Sequence, residues 1–179
     1  MPDIQIFQFI NNLAGQSIII DNLFIFITIF GNFLLVLVIL FTLNKRLILK
    51  SLIAYITVEI IDFGINLLYY RSRPFVAQEV NLLIAHKATA SFPSGHTMTV
   101  FVFAQLLYFY NKKYGIAAYV LALLVAFSRV FVGVHYPLDI VAGAGIGIGS
   151  AFIIEYFFEK YNLMKALEKG WKFMHSKFK

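Results

Sequence analysis

Residues 23–43 form a nearly unbroken apolar run, interrupted only by Thr28, Gly31, Asn32 and Thr42 among its Leu, Ile, Val and Phe. A helix that is apolar all round needs an apolar solvent. At about 1.5 Å of rise per residue, roughly 20 residues cross a hydrocarbon core of about 30 Å. Segments 51–70, 116–132 and 138–158 come close to the same standard. A fifth, 97–110, is shorter, but a polar motif abuts one end and Asn111-Lys112-Lys113 the other, so it also reads as a helix. Composition agrees: 60% of residues are hydrophobic and 13% charged, a balance foreign to a soluble chain of 179 residues. The expectation is an all-α integral membrane bundle, one domain over 1–179, with about five transmembrane spans plus amphipathic terminal helices. Residues 1–20 lack the basic region of a cleavable signal and resemble a short interfacial helix with Ile6, Phe7, Ile10 and Leu13 on one face. Cysteine is absent, which excludes disulfides and thiolate metal sites.

A net charge of +6 could suggest nucleic acid, but its placement argues for a bilayer and no nucleic-acid partner. Lys45, Arg46 and Lys50 fall between spans one and two, and Lys112 and Lys113 between three and four. Lys160, Lys165, Lys169, Lys172, Lys177 and Lys179 follow span five. With five spans these regions share one face, which the positive-inside rule makes cytoplasmic. The 71–94 loop then faces away from the cytoplasm in a multi-pass membrane protein. Leu163, Leu167, Trp171, Met174 and Phe178 recur at helical intervals among the terminal lysines. That spacing suggests an amphipathic helix on the anionic inner leaflet, the alternative being a solvated basic tail.

Ionisable groups near membrane spans are costly and call for a function. Three clusters gather at the outward ends of the spans: Arg71-Ser72-Arg73-Pro74; Ser91-Phe92-Pro93-Ser94-Gly95-His96; and Ser128-Arg129 followed by His135-Tyr136-Pro137-Leu138-Asp139. Each suits a phosphoryl group. The planar forks of Arg73 and Arg129 match phosphate oxygens. Ser94 and Gly95 open a helix, where unpaired N–H groups and the positive dipole end favour an anion. Asp139, four residues after His135, can fold back to fix one imidazole nitrogen and leave the other free to attack. His96 then remains as the acid for the leaving oxygen. Taken alone, a His-x-x-x-Asp pair could equally be half of a metal site.

In order and spacing these residues resemble the type 2 phosphatidic acid phosphatase superfamily, which also includes vanadium-dependent haloperoxidases. Its pattern is a lysine separated by six residues from Arg-Pro, then Pro-Ser-Gly-His, then Ser-Arg with His-x-x-x-Asp. Arg73-Pro74, Pro93-Ser94-Gly95-His96, Ser128-Arg129, His135 and Asp139 fit it. The Arg73–Ala77 and Ala90–His96 runs are similar to bacitracin-resistance-type undecaprenyl-diphosphate phosphatases, which recycle the bacterial cell-wall lipid carrier. The resemblance implies His135 as a nucleophile that forms a phosphohistidine, Asp139 as its orienter and His96 as acid. It implies Arg73, Ser94, Gly95 and Arg129 as phosphate ligands, a lipid diphosphate or monophosphate as substrate, and no metal or other cofactor. One position departs: the family lysine is Asn66 here. Either Arg71 or Lys87 supplies the missing charge, with Arg71 preferred for a second phosphate, or the site works with one cation fewer. Other lipid phosphates (phosphatidylglycerophosphate, phosphatidate, lipid A) fit the same motifs. A non-catalytic transporter is the remaining alternative, and the oligomeric state is not encoded in these motifs.

Two further patterns bear on packing. Gly143, Gly145, Gly147 and Gly149 lie inside an apolar span without the spacing of a nucleotide loop, so they are expected to let helices approach. Glu59 and Asp62 share one face of span two, and Asp62 lies roughly 16 Å along a helix from Arg73. A polar contact between spans is therefore expected for the pair, out of reach of the reacting phosphate, the alternative being a proton path or a contact with the substrate's tail. Glu155 and Glu159 are expected to be solvated or paired with Lys160.

Overall fold

The computed structural model describes residues 2–161, so the proposed tail helix lies outside the described residues. Within them the chain is helical: α1 Pro2–Asn11, α2 Ile18–Phe41, α3 Lys45–Leu68, a single turn α4 Pro74–Ala77, α5 Gly95–Tyr110, α6 Lys112–Phe131 and α7 Pro137–Lys160. Five long helices take the places of the five expected spans. They begin up to six residues earlier than the apolar runs because polar side chains start them. Asn44 accepts the Leu47 N–H at 2.9 Å at the head of α3, and Asn111 accepts the Lys113 N–H at 2.9 Å at the head of α6. Asn111 also ends α5, so one residue joins the two helices. Gly115 makes that joint close, since a Cβ there would collide with the Tyr108 backbone.

Helices α2, α6 and α7 are long and apolar enough to cross a membrane by themselves. Helix α5 has only 16 residues, about 24 Å at the standard rise, and occupies the centre. Every residue from Thr97 to Leu107 on it is buried, packed chiefly against α6, α7 and α3. The outer face of α2 is the reverse: Phe26, Ile29, Phe30 and Phe33 are exposed, as suits a lipid-facing helix.

The glycines of α7 divide by face. Cβ atoms at Gly143 or Gly147 would press into the α5 backbone, against the Ser94 carbonyl at 2.9 Å in the first case and the Met98 carbonyl in the second. Gly145 and Gly149 have nothing within 4 Å. Close packing thus belongs to two of the four. Helix α1 also differs from expectation. Phe7 is buried, but Ile6 and Leu13 are exposed, and the inward face carries Asp3, Asn11 and Ala14. Asn11 explains this by bonding across the fold, from Nδ2 to the Phe131 carbonyl at 2.8 Å and the Asn81 carbonyl at 3.0 Å.

At the lysine-rich end, the acids pair differently than expected. Glu159 takes Arg46 at 2.5 Å and Glu155 takes Lys50 at 2.7 Å, whereas Lys160 reaches the Tyr156 hydroxyl at 2.9 Å. Helix α3 starts where α7 ends, and this antiparallel contact brings the partners together.

Candidate active site

The opposite end gathers the C-termini of α3 and α6, the N-termini of α5 and α7, and the loop 69–94. Pro137 starts α7 with a preset φ, and Asp139 folds back so that Oδ2 accepts the Tyr136 N–H at 2.9 Å. This leaves His135 just ahead of the helix, 2% exposed. Its Nδ1 lies 2.8 Å from the Ser91 carbonyl, an acceptor only, so Nδ1 carries the hydrogen. Its Nε2 lies 3.1 Å from Arg73 Nη1, a donor only, so Nε2 presents a lone pair. Burial, with the nearby charges of Arg129 and Arg73, pushes the His135 pKa down to about 3 against the opposing pull of Asp139. The ring is neutral at physiological pH, the form that can attack.

Asp139 is not the direct orienter expected. Its Oδ2 is 3.6 Å from His135 Nδ1, beyond hydrogen-bond length, and the Ser91 carbonyl holds the ring instead. The carboxylate, fully buried, is occupied by the Ser91 hydroxyl at 2.6 Å, the Tyr136 N–H and Arg71 Nη1 at 2.7 Å. Ser91 opens the second sequence cluster, where it carries no assigned role; the structure gives it one, as the partner of both Asp139 and His135.

Arg73 is fixed on three sides, by the Val134 carbonyl at 3.1 Å and by the carbonyl and hydroxyl of Thr89, each at 3.2 Å. Arg129 is almost fully buried; Nη1 donates to Thr28 Oγ1 at 3.1 Å. Its Nε and Nη2 have no hydrogen-bond partner among the described residues. Two unpaired guanidinium donors in a closed interior are costly unless an anion meets them. The Ser94 N–H donates to the Asp139 carbonyl at 3.1 Å and its Oγ accepts from Thr97 at 3.0 Å, which leaves the hydroxyl hydrogen to donate. The N–H groups of Gly95 and His96, in the first turn of α5, have no carbonyl within the helix to bond and no other backbone partner among the described residues, as suits an anion.

Arg71 is placed elsewhere than predicted. Its guanidinium pairs with Asp3 and Asp139 and lies 4.1 Å over the Tyr136 ring, and it does not line the cavity. Lys87 is exposed and likewise outside the cavity lining. Neither stands at the cavity that the position of the family lysine faces. Asn66 does face the cavity, with Oδ1 unpartnered among the described residues.

A cavity of about 760 Å³ begins at Arg73, His86, His96 and His135 and runs between α2 and α3 to Ile39, Leu40, Ile48 and Leu52 near the lysine-rich end. Its head is polar and its far part apolar. Of the expected site residues, His135, His96, Arg73, Gly95 and Asn66 line it; Ser94, Arg129, Asp139 and Arg71 stand behind. Asp62 also lines it and sits within about 4 Å of where a Gly95 Cβ would be. The expectation that Asp62 lies too deep fails because α3 ends at Leu68 and the 69–94 loop folds back onto it. His86 stands with its ring 6.4 Å from that of His135, and burial lowers its pKa.

The PAP2 superfamily model matches residues 47–163. Undecaprenyl-diphosphatase BcrC of Bacillus subtilis (strain 168) is 33% identical over 159 residues, covering 86% of this chain and 82% of the relative. A Bacillus licheniformis protein named bacitracin transport permease protein BcrC is also 33% identical over 159 residues, 85% of this chain and 78% of its own. The crystal structure of Aquifex aeolicus LpxE superposes with a TM-score of 0.77 at 27% identity, covering 87% of this chain and 96% of that one. With the three clusters assembled at one end of a helical bundle and the family pattern present across them, the chain belongs to the PAP2 superfamily and is a membrane lipid phosphatase.

Proposed function

We propose that the protein hydrolyses undecaprenyl diphosphate to the monophosphate through a phosphohistidine, without a metal ion. His135 Nε2 attacks the terminal phosphorus in line; the P–N bond forms as the P–O bond to the leaving phosphate breaks. His96 protonates that oxygen, and water then cleaves the phosphohistidine to release inorganic phosphate. Arg73, Arg129 and the first-turn N–H groups of α5 hold the three equatorial oxygens, where charge is stabilised without rearrangement. The single observation that carries the reading is the His135 ring: Nδ1–H is committed to Ser91, and Nε2 carries its lone pair towards Arg73 at the head of the cavity. The apolar length between α2 and α3 suits part of a polyprenyl tail, the remainder lying in lipid. Lys45, Arg46, Lys50, Lys112 and Lys113 at the other end support an extracytoplasmic site in the bacterial plasma membrane.

The test is phosphate release from undecaprenyl diphosphate by purified protein in EDTA, beside His135→Ala. The wild type is expected to turn over and to trap an acid-labile phosphoprotein; the variant should do neither. A transporter would release no phosphate, and loss of activity in EDTA would remove the metal-free mechanism. Faster cleavage of phosphatidylglycerophosphate, phosphatidate or lipid A would overturn the substrate and leave the phosphatase.

A further inference from the structure

The reaction written above makes no use of α1, yet Asp3 in its first turn is buried and its carboxylate joins two parts of the site. Oδ1 accepts the Leu138 N–H at 2.9 Å, in the first turn of α7, and Oδ2 pairs with Arg71 Nη2. Arg71 passes the contact on. Its Nη1 donates to Asp139 Oδ1 at 2.7 Å, and its backbone carbonyl accepts the Ser91 N–H at 2.8 Å. Ser91 in turn donates its hydroxyl to Asp139 Oδ2 at 2.6 Å and offers its carbonyl to His135 Nδ1 at 2.8 Å. All three polar groups of Ser91 are thus committed, one to Arg71, one to Asp139 and one to His135.

We infer that Asp3 and Arg71 are positioning residues for phosphoryl transfer, a pair that ties α1 to the Ser91–Asp139 frame and so fixes the direction and tautomer of the His135 ring. The inference rests on His135 being the nucleophile. A guanidinium fork shared by two carboxylates sets direction as well as charge, because each N–H is aimed by the plane of the group. It also sets the charge that His135 feels. The charged and titratable groups facing that ring are Arg73 from the head of α4, Arg129 from α6, His96 from α5, His86 from the loop and Asp139 from α7. Asp139 is the anion of this set, and Arg71 offsets it. Without Arg71, an uncompensated carboxylate 3.6 Å from Nδ1 favours the imidazolium, whose Nε2 has no lone pair to attack with.

The full chain in detergent carries the experiment, with Arg71→Gln, Asp3→Asn, Arg71→Lys and the double variant D3N/R71Q. Arg71→Gln is expected to lower kcat by about 10- to 100-fold, the range usual for partners that orient a reacting group, with KM little changed because Arg71 does not line the cavity. The acid limb of its kcat/KM profile should move to higher pH. Asp3→Asn keeps an acceptor for Leu138 and leaves Arg71 to Asp139, so it should lower kcat less and not raise that limb. The double variant should fall no further than Arg71→Gln alone, and Arg71→Lys should recover part of the loss. Wild-type kcat in Asp3→Asn and Arg71→Gln, losses that sit in KM, additive losses, or an unmoved acid limb would each overturn the inference. If Arg71→Gln does not elute as folded protein, kcat against KM for Arg71→Lys and Asp3→Asn decides. A wild type that releases no phosphate would sink the functional reading itself, whereas an active wild type with unimpaired variants sinks only the positioning role.

Discussion

Both ends of the bundle hold basic side chains and carboxylates, but they use them differently. At the lysine-rich end the contacts are pairs: Arg46 with Glu159, both largely exposed, and Lys50 with Glu155, where the lysine side chain is 8% exposed and the glutamate 23%. At the site end the groups form a chain with shared members. Asp139 serves Arg71, Ser91 and Tyr136, and Ser91 serves Asp139, Arg71 and His135. Exposed pairs are screened by solvent and cost side-chain freedom, so they hold little; buried networks are stabilising only when every member is satisfied. The difference shows where this protein concentrates its geometric control, namely on the direction of one imidazole.

The largest break should come from Asp139→Ala, which strands the Ser91 hydroxyl, the Tyr136 N–H and one edge of Arg71 in the interior. A loss of about 3–5 kcal/mol is expected, the usual cost of removing one partner of a buried charge pair, together with loss of phosphate release. Thermal unfolding in detergent checks the first part and turnover the second.

A second test uses pH. The unfolded chain takes up a proton at residue 135 as pH falls below 6.5, and the folded chain refuses it until about 3. The unfolded state therefore binds more protons in that window, and stability falls as pH drops, by about 1.4 kcal/mol per unit well below the upper limit. Above 6.5 the ring is neutral in both states and the effect vanishes. Melting curves for wild type and His135→Gln between pH 7 and 4.5 should converge if this is right; parallel curves would refute it.

The smallest effects belong to the other end. Lys50→Met removes a partly buried partner from Glu155 and should cost about 2 kcal/mol, in the range for hydrogen bonds to charged groups. Arg46→Ala should leave the melting temperature unchanged, and neither variant should alter kcat. An Arg46→Ala effect as large as that of Lys50→Met would erase the contrast between exposed and buried pairs.

How much of this was legible beforehand depends on how local the signal is. His135, His96, Arg73 and Gly95 reach the cavity as their motifs imply, because each sits within a few residues of a helix end that its own neighbours specify. Asp139 was rightly placed beside His135 in space but wrongly bonded, since an acceptor 44 residues earlier, the Ser91 carbonyl, is nearer to Nδ1. Arg71 was matched to phosphate because its partner Asp3 is 68 residues away in another helix. Asp62 was put out of reach by measuring along a helix that the chain leaves at Leu68.

The sequence by itself determined that the chain is a membrane bundle, where its helices run, and that His135, His96 and Arg73 come together at one end of it. Those properties follow from hydropathy and short spacings, which act within a segment. Only the tertiary structure decided which partner each polar group takes: Ser91 for His135, Asp3 and Asp139 for Arg71, the α5 backbone for Gly143 and Gly147. Several donors and acceptors along the chain are chemically equivalent for each such bond. The choice among them is made by distance, and distance is set by how the helices pack.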